Sequence, residues 1–407
     1  MLARVLAGAS LTAALAPDDE APPALRPAVQ DLCYGTLRDY GAADLILEAL
    51  ARKPIPDRGV RALLLCALYE LRHERRAPHV VVDEAVTACG ELGRAAARGL
   101  VNALLRNYLR RREALEADGR RTDAGRYGYP QWWITRVQRA YPRAWQAVLA
   151  AGNLHPPLTL RVNRRKIGID AYFAKLDAAG IAAARRGDWT LRLDTPRRVD
   201  ALPGFALGEV SVQDAGAQLA APLMDLRDGM RVLDACAAPG GKTGHILELA
   251  AVDLLAIDCD AGRSERIAAN LERLGLRARL RVADAGDPGE WWDGRRFDRI
   301  LLDPPCSASG VVRRHPDLKW LRRASDLAGF AREQARLLEV MWRVLAPDGK
   351  LLYATCSVFA EENAAVIEAF AARHADACRL TVPALDLGQL LPDAEHDGFF
   401  YALIEKS

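Results

Sequence analysis

The stretch Val232-Leu-Asp-Ala-Cys-Ala-Ala-Pro-Gly-Gly-Lys-Thr243 decides the reading of the C-terminal half. Its apolar start is strand-like, its end opens a helix, and the small residues between them let backbone N–H groups approach a ligand. The Gly-Gly-Lys-Thr ending invites a phosphate-loop reading. That pattern requires glycine where Cys236 stands, and no G-x-G-x-x-G run is present, so a nucleotide phosphate or a dinucleotide is poorly supported.

Outward from this turn, strand-like and helix-like segments alternate. RVLDAC precedes a helix expected from Thr243, and DLLAIDCD precedes one expected from Arg263. RARLRVAD and FDRILLDPP follow, then a long helix before Pro347, then KLLYATCS and a helix expected from Glu361. Short apolar strands separated by amphipathic helices predict a mostly parallel, Rossmann-like α/β sheet with helices on both faces. Ligands of such sheets sit at the carboxyl ends of the strands, near the topological switch point. Asp258 closes the second strand, 18 residues beyond Gly240, where an acid binds ribose hydroxyls, and this implies a nucleoside cofactor. Asp284, after the third strand, suits the adenine amine or its surroundings. Asp303-Pro-Pro-Cys-Ser307 and Tyr353-Ala-Thr-Cys-Ser357 each close a strand, so the thiols of Cys306 and Cys356 are expected to face one cleft. A helix N-terminus and nearby cations there would lower a thiol pKa and make a nucleophile.

The remaining part of the chain, residues 1–226, reads differently. Residues 1–153 carry apolar residues at helical spacing, as in PDRGVRALLLCALYELRHERR, with a helix start expected at Asp57, and predict an all-α domain. Residues 154–226 contain LTLRVNRR, IDAYFAKLDAAG and WTLRLDT, which read as strand, helix and strand of a small α+β linker domain. Residues 227–407 hold the alternating α/β pattern.

Formal charge is only +3, but 49 of the 56 basic residues are arginine, so local clustering must decide whether a polyanion is a partner. Val101 to Ala150 holds ten arginines against four acids, followed by Tyr127, Tyr129, Trp132 and Trp133, which suit either core packing or base contact. Arg161, Asn163, Arg164, Arg165 and Lys166 form a second basic cluster. Eight scattered cysteines without a CxxC pair predict reduced thiols in a cytoplasmic protein, with neither a disulfide framework nor a metal site. The opening Met1–Glu20 has the outline of a weak secretory leader, but Gly8, Ser10 and Thr12 dilute its apolar core and a frayed first helix explains it equally well. No apolar run is long enough to cross a bilayer.

The run from Val232 to Asn363, with DACAAPGGKT, LLDPPCSASG, RRHPDLKW and YATCSVFAEEN, resembles the RNA cytosine-5 methyltransferases of the Nol/Nop/Sun group. LRVNRR, the ALPGF turn at 201–205, Val212-Gln-Asp214 and Asp397-Gly-Phe-Phe-Tyr401 extend the likeness, and the helical half is similar to the RNA-binding antitermination factor NusB. This resemblance implies a class I S-adenosylmethionine-dependent enzyme acting on cytosine carbon-5 in RNA, most of all 16S ribosomal RNA, as a monomer. It further implies Cys356 as the attacking thiol, Cys306 as the group assisting product release, and Asp303 as a hydrogen-bonding partner of the base. Cofactor contact falls by the same carry-over on Cys236, Ala237, Ala238, Pro239, Gly240, Gly241, Lys242, Asp258, Asp284 and Asp303. Arg313, Arg314, His315 and Lys319 stand where they would grip phosphates flanking the target. Pro304 departs from the alanine often found there in bacterial relatives, which stiffens the turn without removing a reacting group. Two other readings remain open: an RNA-binding assembly or antitermination factor with an idle second half, and the same enzyme acting on tRNA or DNA.

Overall fold

The computed structural model describes residues 1–15, 22, 24–382, 385 and 387–407, so the Ala16–Glu20 end of the leader-like stretch lies outside them. The described chain forms two compact units, one of residues 1–153 with 312–324, the other of 154–311 with 325–407.

The first unit is all-α. Its main helices are Arg26–Leu50, Arg58–Arg72, Pro78–Glu91 and Arg98–Gly119. Asp57 caps the second by accepting the Gly59 and Val60 N–H groups, which satisfies donors that a helix start leaves orphaned, and Pro78 occupies the first turn of the third. Leu64, Leu65, Leu68, Val101, Leu105 and Tyr108 are buried between these helices. Of the aromatic run, Tyr129 and Trp133 are each 1% exposed and pack ring on ring, so their role is in the core. Arg72 likewise faces inward, 2.8 Å from Asp39 and 3.1 Å from Glu116. Arg110, Arg111, Arg120 and Arg121 stay exposed.

Residues 312–324 complete this unit and correct the expectation of a phosphate grip. Lys319 is fully buried, donating to the Gly128 carbonyl (3.0 Å), the Arg38 carbonyl (3.3 Å) and Asn153 Oδ1 (2.7 Å) above the Tyr129 ring. Burial and the nearby Arg38 charge push its pKa down to about 7. Arg313 is 1% exposed, Asp317 accepts the Leu11 N–H at 2.9 Å, and Trp320 donates to the Leu37 carbonyl while packing on Tyr40. Arg313, Asp317, Lys319 and Trp320 thus tie the helical unit from within, and the expected phosphate grip fails for Arg313 and Lys319, whose cations are buried, whereas Arg314 is half-buried and His315 exposed.

The second unit contains two sheets. Strands β1 (Leu158–Val162), β2 (Ala183–Arg185), β3 (Thr190–Leu193) and β4 (Val210–Val212) form an antiparallel sheet in the order β2-β3-β1-β4, with the helix Ile169–Ala178 between β1 and β2. Of the second basic cluster, Arg161 and Asn163 are built into this region, whereas Arg164, Arg165 and Lys166 are exposed. Arg161 is fully buried, its Nε and Nη2 on the two Glu248 oxygens (2.9 and 2.7 Å) and its Nη1 on the Gly241 carbonyl (2.8 Å) and on Gln213. Arg165 donates to the Leu247 carbonyl, and Lys166 to that of Leu207.

The larger sheet runs β10-β12-β9-β8-β5-β6-β7, where β5 is Arg231–Ala235, β6 Asp253–Asp258, β7 Arg279–Val282, β8 Phe297–Leu302, β9 Leu345–Thr355, β10 Ala377–Leu380 and β12 Phe399–Lys406; β11 (Gln389–Leu390) pairs with β12. Strands β7, β6, β5, β8 and β9 are parallel, and β12 joins antiparallel. The chain switches direction across the sheet between β5 and β8, at the strands that carry the motifs. Helices Gly241–Leu249 and Ala261–Leu274 each begin two residues earlier than the sequence predicts. The helix expected from Glu361 is a 3-10 turn, Ala360–Glu362, and the α-helix begins only at Ala364.

Glu248→Ala leaves the Arg161 guanidinium buried beside an absent carboxylate and is expected to cost about 3–5 kcal/mol, read as a lower urea midpoint. Replacing both partners by apolar residues recovers most of that loss.

Candidate active site

Strand register assembles the site. Ala235 lies opposite Ile257 and Leu302, and Leu302 lies opposite Tyr353, so the loops after β5, β6, β8 and β9 leave the sheet side by side. The turn after β5 is held in a conformation that L residues rarely adopt, with Cys236 at φ +62° and Gly240 at φ +92°. A Cβ on Gly240 would stand 3.1 Å from the Ile267 backbone, so only glycine permits this approach. Asp258 closes the turn from β6, its Oδ2 accepting the Ala238 N–H (3.0 Å) and its Oδ1 the Asp260 N–H (3.1 Å).

Asp234 is 1% exposed. Its Oδ2 accepts the Thr243 hydroxyl at 2.6 Å, while its Oδ1 has no hydrogen-bond partner. Burial, opposed by the Thr243 bond and assisted by the Asp303 charge, pushes its pKa up to about 7. Lys242 points across to Asp303, with Nζ 2.5 Å from Oδ2. Burial alone would lower the Lys242 pKa, but the Asp303 charge and hydrogen bond outweigh it and the net shift is upward, with Cys356 contributing in the same direction.

Cys306 Sγ and Cys356 Sγ are 3.4 Å apart. The Cys306 pKa is well above its ordinary value, raised by its hydrogen bond to Cys356, then by burial and the charges of Cys356 and Glu362. The helix expected to supply a dipole behind Cys356 starts eight residues beyond it, at Ala364. Ala308 at φ +58° bends the Cys306 loop back, and Gly310 donates to the Cys356 carbonyl (2.8 Å) while accepting from Gly398 N–H (2.9 Å). A Cβ on Gly310 would lie 2.2 Å from the Gly398 carbonyl oxygen, which explains the close pairing of SASG with the Asp397-Gly398 turn.

The structure therefore brings together Cys236 to Lys242, Asp258, Asp303, Cys306 and Cys356. Asp284 follows β7, the strand paired with that of Asp258, and is half-exposed, with each of its carboxylate oxygens 3.0 Å from Arg336 and one accepting the Gly286 N–H. Unassigned by the sequence reading were Glu362, Ser307, Ser309 and Ser357, whose side chains hydrogen-bond beneath the two thiols. FAEEN and CSASG were visible as motifs, but polarity at fully buried positions was not. Among the described residues no group of three or more metal-ligating side chains occurs, and no helix is long and apolar enough to cross a membrane.

Residues 221–405 match the family 16S rRNA methyltransferase RsmB/F, residues 129–200 its ferredoxin-like domain, and residues 3–110 the NusB family. The chain is 46% identical to the ribosomal RNA small subunit methyltransferase B of Vibrio cholerae, over 93% of this chain and 89% of that one. Identity to the Escherichia coli protein of the same name is 44%, over 93% and 90%. Among solved structures, PH0851 superposes with a TM-score of 0.81 at 25% identity, covering 95% of this chain and 92% of that one. A methyltransferase homologue from Pyrococcus horikoshii superposes with a TM-score of 0.62 at 29% identity, over 72% and 99%.

Because the Asp234 pKa is raised in the fold, the unfolded chain ionises first as pH rises from about 4, and the native state loses stability up to about pH 7. Asp234→Asn is expected to remove that slope, measured by urea unfolding across this range; an unchanged slope would mean that Asp234 titrates normally.

Proposed function

The chain belongs to the RsmB/F family of 16S rRNA methyltransferases, and from that premise we propose that it methylates carbon-5 of a cytosine in 16S ribosomal RNA through a covalent adduct of Cys356. The observation that carries this reading is the pair of thiols 3.4 Å apart at adjacent strand ends, beside the Lys242–Asp303 pair. A single nucleophile needs no second thiol. Carbon-5 of cytosine is a poor nucleophile, so a thiolate must add to carbon-6 before carbon-5 can accept a methyl group, and the proton on carbon-5 must then leave.

The donor set suits S-adenosylmethionine, which carries an amino group and ribose hydroxyls. Asp234 Oδ1 is a buried acceptor without a partner, and Asp258, already accepting two backbone N–H groups, keeps lone pairs for further donors. Cys236 to Lys242, Asp258 and Asp303 would hold the cofactor, with Asp284 assigned to the surroundings of the adenine. When bound, S-adenosylmethionine supplies the electrophilic methyl group.

The chain's own residues divide the remaining work. Lys242, kept charged by Asp303, stands where it stabilises negative charge developing near the two sulfurs, which lie 3.4 Å apart. The Cys356 thiolate adds to carbon-6, and the electron pair of the 5,6 double bond makes carbon-5 nucleophilic. Asp303 hydrogen-bonds the ring nitrogen or amino group and stabilises charge that develops there. Once Cys356 is a thioether it no longer opposes ionisation of Cys306. Cys306 then gives up its own proton to water and, as the thiolate, takes the proton from carbon-5, and Cys356 leaves carbon-6 as a thiolate while the double bond reforms. The target base must leave its stack to enter such a cleft, which favours an unpaired stretch of RNA.

Cys356→Ala is expected to lower transfer of labelled methyl to 16S RNA by a factor on the order of 10⁵ with the fold intact. Cys306→Ala is expected to accumulate a covalent protein–RNA adduct, seen as a shifted band on a denaturing gel. Label in tRNA or DNA rather than 16S RNA, located by bisulfite sequencing, would overturn the substrate and keep the chemistry. Turnover by Cys306→Ala without an adduct would remove its role in release.

A further inference from the structure

Glu362 is fully buried on the turn that follows β9. Its Oε1 accepts the Ser307 N–H (2.7 Å) and the Gln334 amide (3.3 Å), and its Oε2 accepts the hydroxyls of Ser307 (2.6 Å) and Ser357 (2.6 Å). Ser307 follows Cys306 and Ser357 follows Cys356, so one carboxylate holds both cysteine loops. Ser309 bridges the same two hydroxyls at 3.0 Å each and accepts the Val358 N–H at 2.9 Å, while Gln334 also donates to the Pro305 carbonyl at 3.0 Å. A carboxylate is the side chain suited to this position, because it alone offers several acceptor sites and no donor.

All four of these donors to Glu362 are neutral, so no cation among them cancels its charge. In a water-poor interior that charge acts strongly over a few ångströms. We propose that Glu362 is the positioning residue of the thiol pair: it fixes the two cysteine loops through Ser307 and Ser357, and its carboxylate, met by neutral donors in these contacts, makes the two sulfurs unequal and leaves Cys356 as the sulfur that attacks. This assignment rests on the reading of Cys356 as the nucleophile and adds what makes the two thiols unequal. The surrounding charges divide accordingly. Glu362 opposes ionisation of Cys306, whereas Cys356 has the Lys242 ammonium, paired with Asp303, in its neighbourhood. Tyr353, whose hydroxyl donates to the Glu362 carbonyl, and Tyr401 are the other titratable groups around the pair, and burial holds both phenols neutral.

The test is alkylation of the full-length protein by iodoacetamide at pH 8, with peptide mass spectrometry reading Cys306 and Cys356 separately and the exposed Cys259 and Cys378 as internal standards. Thiolates are the reacting species, and each unit of pKa separation is worth about tenfold in thiolate fraction, so Cys356 is expected to react at least about tenfold faster than Cys306. Glu362→Gln keeps the size and removes the charge. It is expected to bring that ratio toward one and to lower kcat for 16S RNA about tenfold, with KM and S-adenosylmethionine affinity unchanged. Glu362→Asp keeps the charge and is expected to retain the preference for Cys356. Equal alkylation of the two thiols in the unaltered protein overturns the proposal, and so does Glu362→Gln with both its preference and its kcat intact. The unaltered protein decides the matter even if Glu362→Gln does not fold. Alkylation is read without RNA, so an error in the substrate leaves this result unaffected.

Discussion

The parallel register of β8 against β9 is the constraint on which the site depends. Leu302 opposite Tyr353 brings the Asp303–Cys306 loop and the Thr355–Cys356 end out of the sheet together, and Leu302 opposite Ala235 adds the Cys236–Lys242 turn on the other side. Because side chains alternate faces along a strand, a slip of one residue would turn Cys356 away from Cys306. Ile300, Leu301, Leu302, Leu351, Leu352 and Tyr353 are all fully buried, so both strands lie inside the sheet with neither face solvated.

Around that frame, charges are placed where water is scarce, and this makes few groups sufficient. Lys242 with Asp303 on one side, Glu362 on the other and Asp234 beneath the turn all sit in or beside the core. Each is arranged through neutral hydrogen-bonding partners or a single counter-charge, so protonation states follow from position rather than from residue type. The proposed role of Glu362 makes two chemically identical thiols 3.4 Å apart inequivalent in this way.

Arginine and lysine carry the opposite lesson. Arg161 and Lys319 occur in runs that read as polyanion-binding, yet both are fully buried. Arg161 joins Glu248 to the Gly241 carbonyl and so steadies the start of the helix that follows the glycine turn. Lys319 gathers two carbonyls and an amide oxygen within the helical unit. The chain leaves the methyltransferase sheet after Val311 and returns at Ser325, so the helical unit is incomplete without a segment contributed from beyond residue 300. A long cationic side chain with its stem in the core and its head on carbonyls is indistinguishable, in one dimension, from one that reaches a phosphate.

From sequence alone the alternating pattern determined the α/β sheet, its position in the chain and the strand ends at which DACAAPGGKT, DPPC and TCS fall, because period and punctuation are local properties of the chain. Helix starts were legible to within a few residues where a cap such as Asp57 marks them. Tertiary structure alone decided the distance between the thiols, the partners of Arg161 and Lys319, the orphaned oxygen of Asp234 and the place of Glu362 beneath both cysteine loops. Those are contacts between residues tens to hundreds of positions apart, and burial, which sets their strength and their protonation, exists only once the chain has closed over them.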